Sequence, residues 1–300
     1  MTAPSSPWAA AQRLFAALER RFVPDREGVD FSQLLAARWA PGPLGGRLVP
    51  GGAIDGVSLA DLVGLEGQRA RVVANVAQFV AGLPANNMLL WGARGTGKSS
   101  LVHGVLNHFA DEGLRLLEVE RDALGDLPEI SERLRTLPYR FLLFCDDLSF
   151  EGAELGYKAL KSALEGTVFA AAGNVMLVAT SNRRHLMPER AAENQQFTHT
   201  ETGEVHPGET TEEKLSLADR FGLWVSFHPM AQPAYLEAAA RWVAHYGAPH
   251  GVIFDDAARA GALTWALTRG ARSGRVAHHF ARHWVGQGAL AARQTGARGP

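Results

Sequence analysis

The sequence predicts an α/β fold: a three-layer core built on a parallel five-stranded sheet, with an all-helical C-terminal cap and a small helical N-terminal segment. Three observations lead there. Five short runs are apolar at nearly every position, as strands buried on both faces must be. Stretches of helical periodicity alternate with these runs. After the turn at Pro229 the pattern stays helical, with no further strand.

In chain order, apolar residues from Trp8 to about Trp39 recur at helical spacing (Leu14, Leu18, Phe22, then Phe31, Leu34 and Leu35), which predicts helix. The stretch PGPLGGRLVPGGAIDG, residues 41–56, carries too much Gly and Pro for a regular element and reads as a linker, so a divide is expected between a 1–54 segment and a 55–229 core. NMLLW (87–91) is the first strand, followed by a helix over about 98–111. LRLLEV (114–119) and RFLLFC (140–145) come next, then a helix over about 155–165. NVMLVAT (174–180) and LWVSFH, from Leu223, complete the five strands. The polar, aperiodic stretch 188–213 interrupts the core and reads as a long loop of functional or mobile character. PAYLEAAARWVAHY and VAHHFARHWVGQ supply the cap, 230–300. Trp224, Trp242, Trp265 and Trp284 lie among apolar residues, where packing explains them.

The composition excludes several classes of function. Of 300 residues, 30 are Lys or Arg and 31 Asp or Glu, a net charge of -1, which gives no broad basic surface for nucleic acid. The single cysteine, Cys145, lies in the apolar run FLLFC and reads as a buried structural thiol. MTAPSSPWAAAQRLF lacks the charged start and long apolar run of a secretion signal, and no stretch approaches the ~18 apolar residues of a membrane span. A cytoplasmic protein without membrane contact is expected. His279 and His283 stand four apart, a metal-ligand spacing, but no acid follows in the HExxH manner, so the lid surface or core edge is the expected place for them.

The chemistry lies in WGARGTGKSSL. Gly92, Gly97, Lys98 and Ser99 satisfy G-x-x-x-x-G-K-[ST] between a predicted strand and a predicted helix. Such a loop, here Gly92, Ala93, Arg94, Gly95, Thr96 and Gly97 before Lys98, Ser99 and Ser100, turns backbone N–H groups onto phosphates. Lys98 would reach the β and γ oxygens and Ser99 would offer a hydroxyl to Mg²⁺. Some 48 residues on, FLLFCDD ends a buried strand in Asp146, placed to hold Mg²⁺, and Asp147, placed to polarise an attacking water. VMLVATSN ends the next strand in Asn182, which either orients that water or caps the following turn.

The order GARGTGKSS, FLLFCDD, VATSN, LADRFGL and RSGRVAHHF resembles the AAA+ ATPases over about residues 55–290. More narrowly, NNMLLWGARGTGKSSL, FCDDLSF, ATSNRRHL and LADRFGLWVSF are similar to a bacterial AAA+ family catalogued as a domain of unknown function. The resemblance implies ATP and Mg²⁺ as ligands, with Lys98, Asp147, Asn182, Arg220 and Arg275 in hydrolysis. It places Val63 and Gly64, in DLVGLEGQ, near the adenine, or else in a loop leading into a helix. It makes Arg220 an arginine finger reaching a neighbouring subunit, hence a homo-oligomer, and Arg275 the lid arginine, with Arg272 as competitor. Arg183 and Arg184 are phosphate or subunit contacts, or a solvated face. Asp147 departs from the usual Glu and is one methylene shorter, which implies slow turnover. The implied function is ATP hydrolysis coupled to remodelling or loading of a protein or nucleic-acid client. The alternative is an ATP-dependent switch that seldom hydrolyses; a small-molecule kinase would leave the finger and lid signatures unexplained.

Overall fold

The computed structural model describes residues 29–42, 45–52, 56–148, 173–182 and 220–296, together with Trp8, Leu160, Leu164 and the paired two-residue strands Thr198–His199 and Val205–His206. The expected helix over 155–165, the loop 188–213, Arg183 and Arg184 fall largely or wholly outside these residues, as does most of the stretch before Val29.

The central sheet has seven strands rather than five. They are β1 (Ala36–Ala40), β2 (Arg47–Pro50), β3 (Met88–Gly92), β4 (Leu114–Glu118), β5 (Arg140–Cys145), β6 (Val175–Ser181) and β7 (Leu223–Phe227), in the order β2-β1-β4-β5-β6-β3-β7. Every neighbouring pair is parallel except β1–β2. The five strands expected from apolar runs are β3 to β7, within a residue of their expected bounds.

The two additional strands correct the reading of the N-terminal part. Phe31, Leu34 and Leu35 have helical spacing because a tight turn precedes a strand: Asp30 O accepts from both Gln33 N and Leu34 N, and Asp30 Oδ1 accepts from Ser32 N. β1 then pairs with β4, Ala36 opposite Leu116, a contact that local spacing cannot anticipate. The Gly- and Pro-rich stretch after it contains β2 rather than being only a linker. Gly46 lies against the Trp39 ring, where a Cβ would come within 2.0 Å of the indole, and Trp39 Nε1 donates to Asp126 Oδ2 at 2.8 Å. The sheet therefore draws on residues on both sides of position 54.

Alternation along the strands divides the core in two. Ala37, Trp39, Leu117, Phe141, Leu143, Cys145, Val175 and Leu177 face α3 (Leu127–Arg135). Met88, Leu90, Leu116, Leu142, Phe144, Met176 and Val178 face α1 (Glu66–Val80) and α2 (Lys98–Phe109). This is the helix–sheet–helix layering expected of runs apolar throughout. The cap is α4 (Gln232–Gly247), α5 (Asp256–Thr268) and α6 (Gly274–Gly296), packed about Tyr235, Val243, Ala262, Phe280 and Val285. Among the described residues no helix is long and apolar enough to cross a membrane.

Candidate functional site

Because β3, β5, β6 and β7 are parallel, their C-terminal ends share one edge of the sheet, and the loop from β3 to α2 crosses it. The loop takes positive φ at Gly95 (76°) and at Gly97 (98°), the residue before α2. It is gripped from two sides: a Cβ on Gly97 would meet Leu65 Cδ1 at 2.7 Å, and one on Gly95 would meet Ser273 Oγ and Arg275 Cβ at 3.0 Å. Thr96, buried, closes the turn by donating to Ala93 O at 2.8 Å. The first-turn N–H groups of α2 and its dipole point at the loop's mouth, a geometry suited to an anion.

Lys98 is only 5% exposed and folds over this loop. Its Nζ donates to Gly92 O at 2.8 Å, Ala93 O at 2.9 Å and Asn182 Oδ1 at 2.9 Å, which uses all three ammonium hydrogens. Burial holds its pKa below the ordinary lysine value; Asp146 and Asp147 oppose that shift, while Arg275 and Arg94 add to it. Three cations and two carboxylates thus feel one another at this edge.

The two acids are joined through the strand beside them. Ser99 Oγ donates to Asp146 Oδ1 at 3.0 Å, and the buried Thr180 hydroxyl donates to the same oxygen. Thr180 Oγ1 also accepts from Asp147 N at 2.9 Å. Asp147 Oδ1 accepts from Asn182 Nδ2, and its Oδ2 lies 3.2 Å from an Arg94 Nη. Asp147 has φ 53°, the one positive value at a non-glycine among the described residues. Ser99 and Asp146 together are hard oxygen donors of the kind Mg²⁺ takes.

The structure brings Gly92 to Ser100, Asp146, Asp147 and Asn182 to one place, with Arg275 alongside: its N lies 3.5 Å from Gly95 O. The Arg272 carbonyl accepts from Met230 N at 2.9 Å. Val63 and Gly64 lie between the loop and the cap, Val63 in the cap's apolar cluster and Gly64 against Ala234. Arg220 is not brought to this site: it precedes β7 at the opposite end of the strand, whose first residue, Leu223, is itself roughly 13 Å of extended chain from Phe227. Of the expected histidines, His283 stacks on Trp265, while the neighbouring His278 packs against Trp242 with its Nε2 2.7 Å from Tyr246 Oη. Thr180 and Ser273 escaped the sequence reading; the only local signal for Thr180 was a polar residue ending an apolar run.

Residues 32–288 match the family described as "Protein of unknown function (DUF815)". The chain belongs to this family. No curated protein matches the DUF815 chain. Among solved structures it is similar to the Thermotoga maritima RuvB Holliday junction branch migration motor, with TM-score 0.50 and 18% identity over 76% of this chain and 64% of that one. It is also similar to the Aeropyrum pernix ORC1 protein in complex with DNA, with TM-score 0.53 and 17% identity over 77% and 61%. The DUF815 chain thus spans under two thirds of either relative. At these identities the likeness is one of fold, and the fold is that of the AAA+ P-loop NTPases.

Proposed function

We propose that this chain binds ATP with Mg²⁺ and hydrolyses it to ADP and phosphate, coupling movement of the cap and of neighbouring subunits to work on a macromolecular client. The observation that carries the reading is the continuous bonded chain Ser99–Asp146–Thr180–Asp147–Asn182–Lys98 laid across the N-terminus of α2. The residues fit the ligands: a glycine cradle with α2's N–H groups beneath it suits phosphates, and the paired Ser99 and Asp146 oxygens suit a hard divalent cation. Mg²⁺ at that pair would draw charge from the phosphate oxygens. Lys98 and Arg275 bear on the same phosphates, and Val63 and Gly64 border the base. Asp147 orients the attacking water by accepting its hydrogen, with Asn182 fixing the carboxylate that does so. Arg220 lies too far from its own cradle to help there, which supports a role in a neighbouring copy and hence a homo-oligomer. A cytoplasmic setting belongs to the same reading.

A second reading, a nucleotide switch with little turnover, is favoured by both Asp147 oxygens being engaged, by Asn182 and Arg94. ATP binding and hydrolysis measured across a wide range of protein concentration separate the two. Specific activity that rises with concentration supports shared sites; tight binding without turnover at every concentration favours the switch. Lys98→Ala is expected to lower ATP affinity by at least ~100-fold, and undiminished affinity would overturn the cradle assignment. Asp147→Asn should keep affinity while reducing kcat by about 10²-fold or more.

A further inference from the structure

Thr180 is 1% exposed and comes next to last in β6. The β5–β6 register sets Cys145 opposite Ala179, so Thr180 falls beside the two acids that follow β5. Its bonding polarity is forced. The Asp146 carboxylate only accepts, so the hydroxyl must donate to it; the Asp147 N–H only donates, so the same hydroxyl must accept from it. The Thr180 carbonyl takes Leu148 N–H at 2.7 Å as well. Residue 147 is therefore clamped by Thr180 through the N–H groups on both of its sides. That double hold accounts for an aspartate kept in the left-handed region, which needs surroundings that over-determine it.

We propose that Thr180 is a positioning residue for both acids: its hydroxyl sets the Asp146 carboxylate for a divalent cation and holds the backbone that aims the Asp147 carboxylate at Asn182. This rests on the reading of the site as a Mg²⁺–ATP cradle. Ser99 supplies the other hydroxyl on Asp146 Oδ1, so the orientation of that carboxylate depends on two hydroxyls, one from each neighbouring element. A methyl in place of the Thr180 hydroxyl keeps the volume, removes one of those donors and leaves Asp147 N–H without its acceptor. Serine keeps both bonds.

The test measures binding of a fluorescent ADP analogue with Mg²⁺ and with EDTA, alongside turnover, for wild type, Thr180→Val and Thr180→Ser. In EDTA all three should bind alike, since Lys98 and the loop are untouched. The gain in affinity on adding Mg²⁺ should fall about 10- to 100-fold in Thr180→Val and be largely restored in Thr180→Ser, with kcat following the same order and KM changing less. Should Thr180→Val not fold, Thr180→Ala is read against Thr180→Ser in the same way. A valine variant with wild-type Mg²⁺ dependence, or a serine variant no better than valine, overturns the inference while leaving the ATP reading intact. Wild type that binds no nucleotide overturns both.

Discussion

The Asn182 carboxamide is bonded at both ends, its oxygen to Lys98 and its nitrogen to Asp147, so it links the buried lysine to the second acid. Lys98, Ser99 and the glycines around them were legible in the sequence because their motif is contiguous and its chemistry local. Asp146 and Asp147 were legible because an apolar run ended in them. Thr180 was not, since its meaning depends on strand register. The neighbouring Cys145 illustrates how strongly this edge is shielded on its inner side. Burial first, then the Asp146 carboxylate, pushes its thiol up to about 12, with Arg121 opposing. Folded protein at pH 8 is therefore expected to resist thiol alkylation, and the labelling rate should track global unfolding; rapid stoichiometric labelling of native protein would contradict this. The sign of the linkage follows. A pKa raised on folding contributes stability that is whole below about pH 9 and lost as pH climbs towards about 12.

At the scale of elements, β1 and β2 were the part of the fold that sequence periodicity misread. Their pairing is non-local: β1 meets β4 about 80 residues downstream, Ala37 lying opposite Leu117. The evidence that they belong to the core is in side chains as much as in the ladder. Arg115, 7% exposed, sends its Nε to Phe31 O at 2.7 Å and two further bonds to Ala110 O and Leu114 O, and its guanidinium stacks over Tyr139 at 4.5 Å. Deleting residues 1–54 would strip Phe31 O from that buried cation and expose the β4 edge. The truncated chain is expected to be insoluble or to lose its cooperative thermal transition, whereas a chain beginning near residue 29 keeps it. Trp39→Ala should destabilise the whole core by about 3–5 kcal/mol, read as one shifted melting transition rather than two. An unaffected melt of the 55–300 fragment would restore the divide at 54. β3 to β7 were legible because strands covered on both faces need apolar residues throughout, a demand that short runs display directly.

For the whole molecule, the decisive relation is between the two ends of the sheet. The cradle occupies the edge where parallel strands finish, and Arg220 stands where β7 starts. If Arg220 completes a neighbour's cradle, two crippled chains should help each other. Mixing Arg220→Ala, which keeps its cradle, with Lys98→Ala, which keeps its arginine, is expected to give more turnover than either alone. No recovery at any ratio, with mixed assembly verified, would return Arg220 to an intrasubunit role. The client that we propose was not legible in the sequence, because recognition surfaces follow shape and charge across distant segments rather than a motif.

The cap meets the core at Val63 and Gly64, at the Ala60 carbonyl, which accepts from Arg241 Nη1 at 2.7 Å, and at a further spot beside the loop. Met230 N–H, just after β7, holds Arg272 O, and three residues later Arg275 N meets Gly95 O, so the cap's entrance and the root of α6 share one spot beside the cradle. From that root α6 runs 23 residues, about 34 Å. Because α6 packs against α4 and α5 through Ala277, Phe280, Ala281 and Val285, the three helices would swing as one lever: a tilt of about 10° at the root would carry the far tip through about 6 Å. A small shift of the Gly95 carbonyl would thus be written large at the opposite end of the helix, where another molecule could read it.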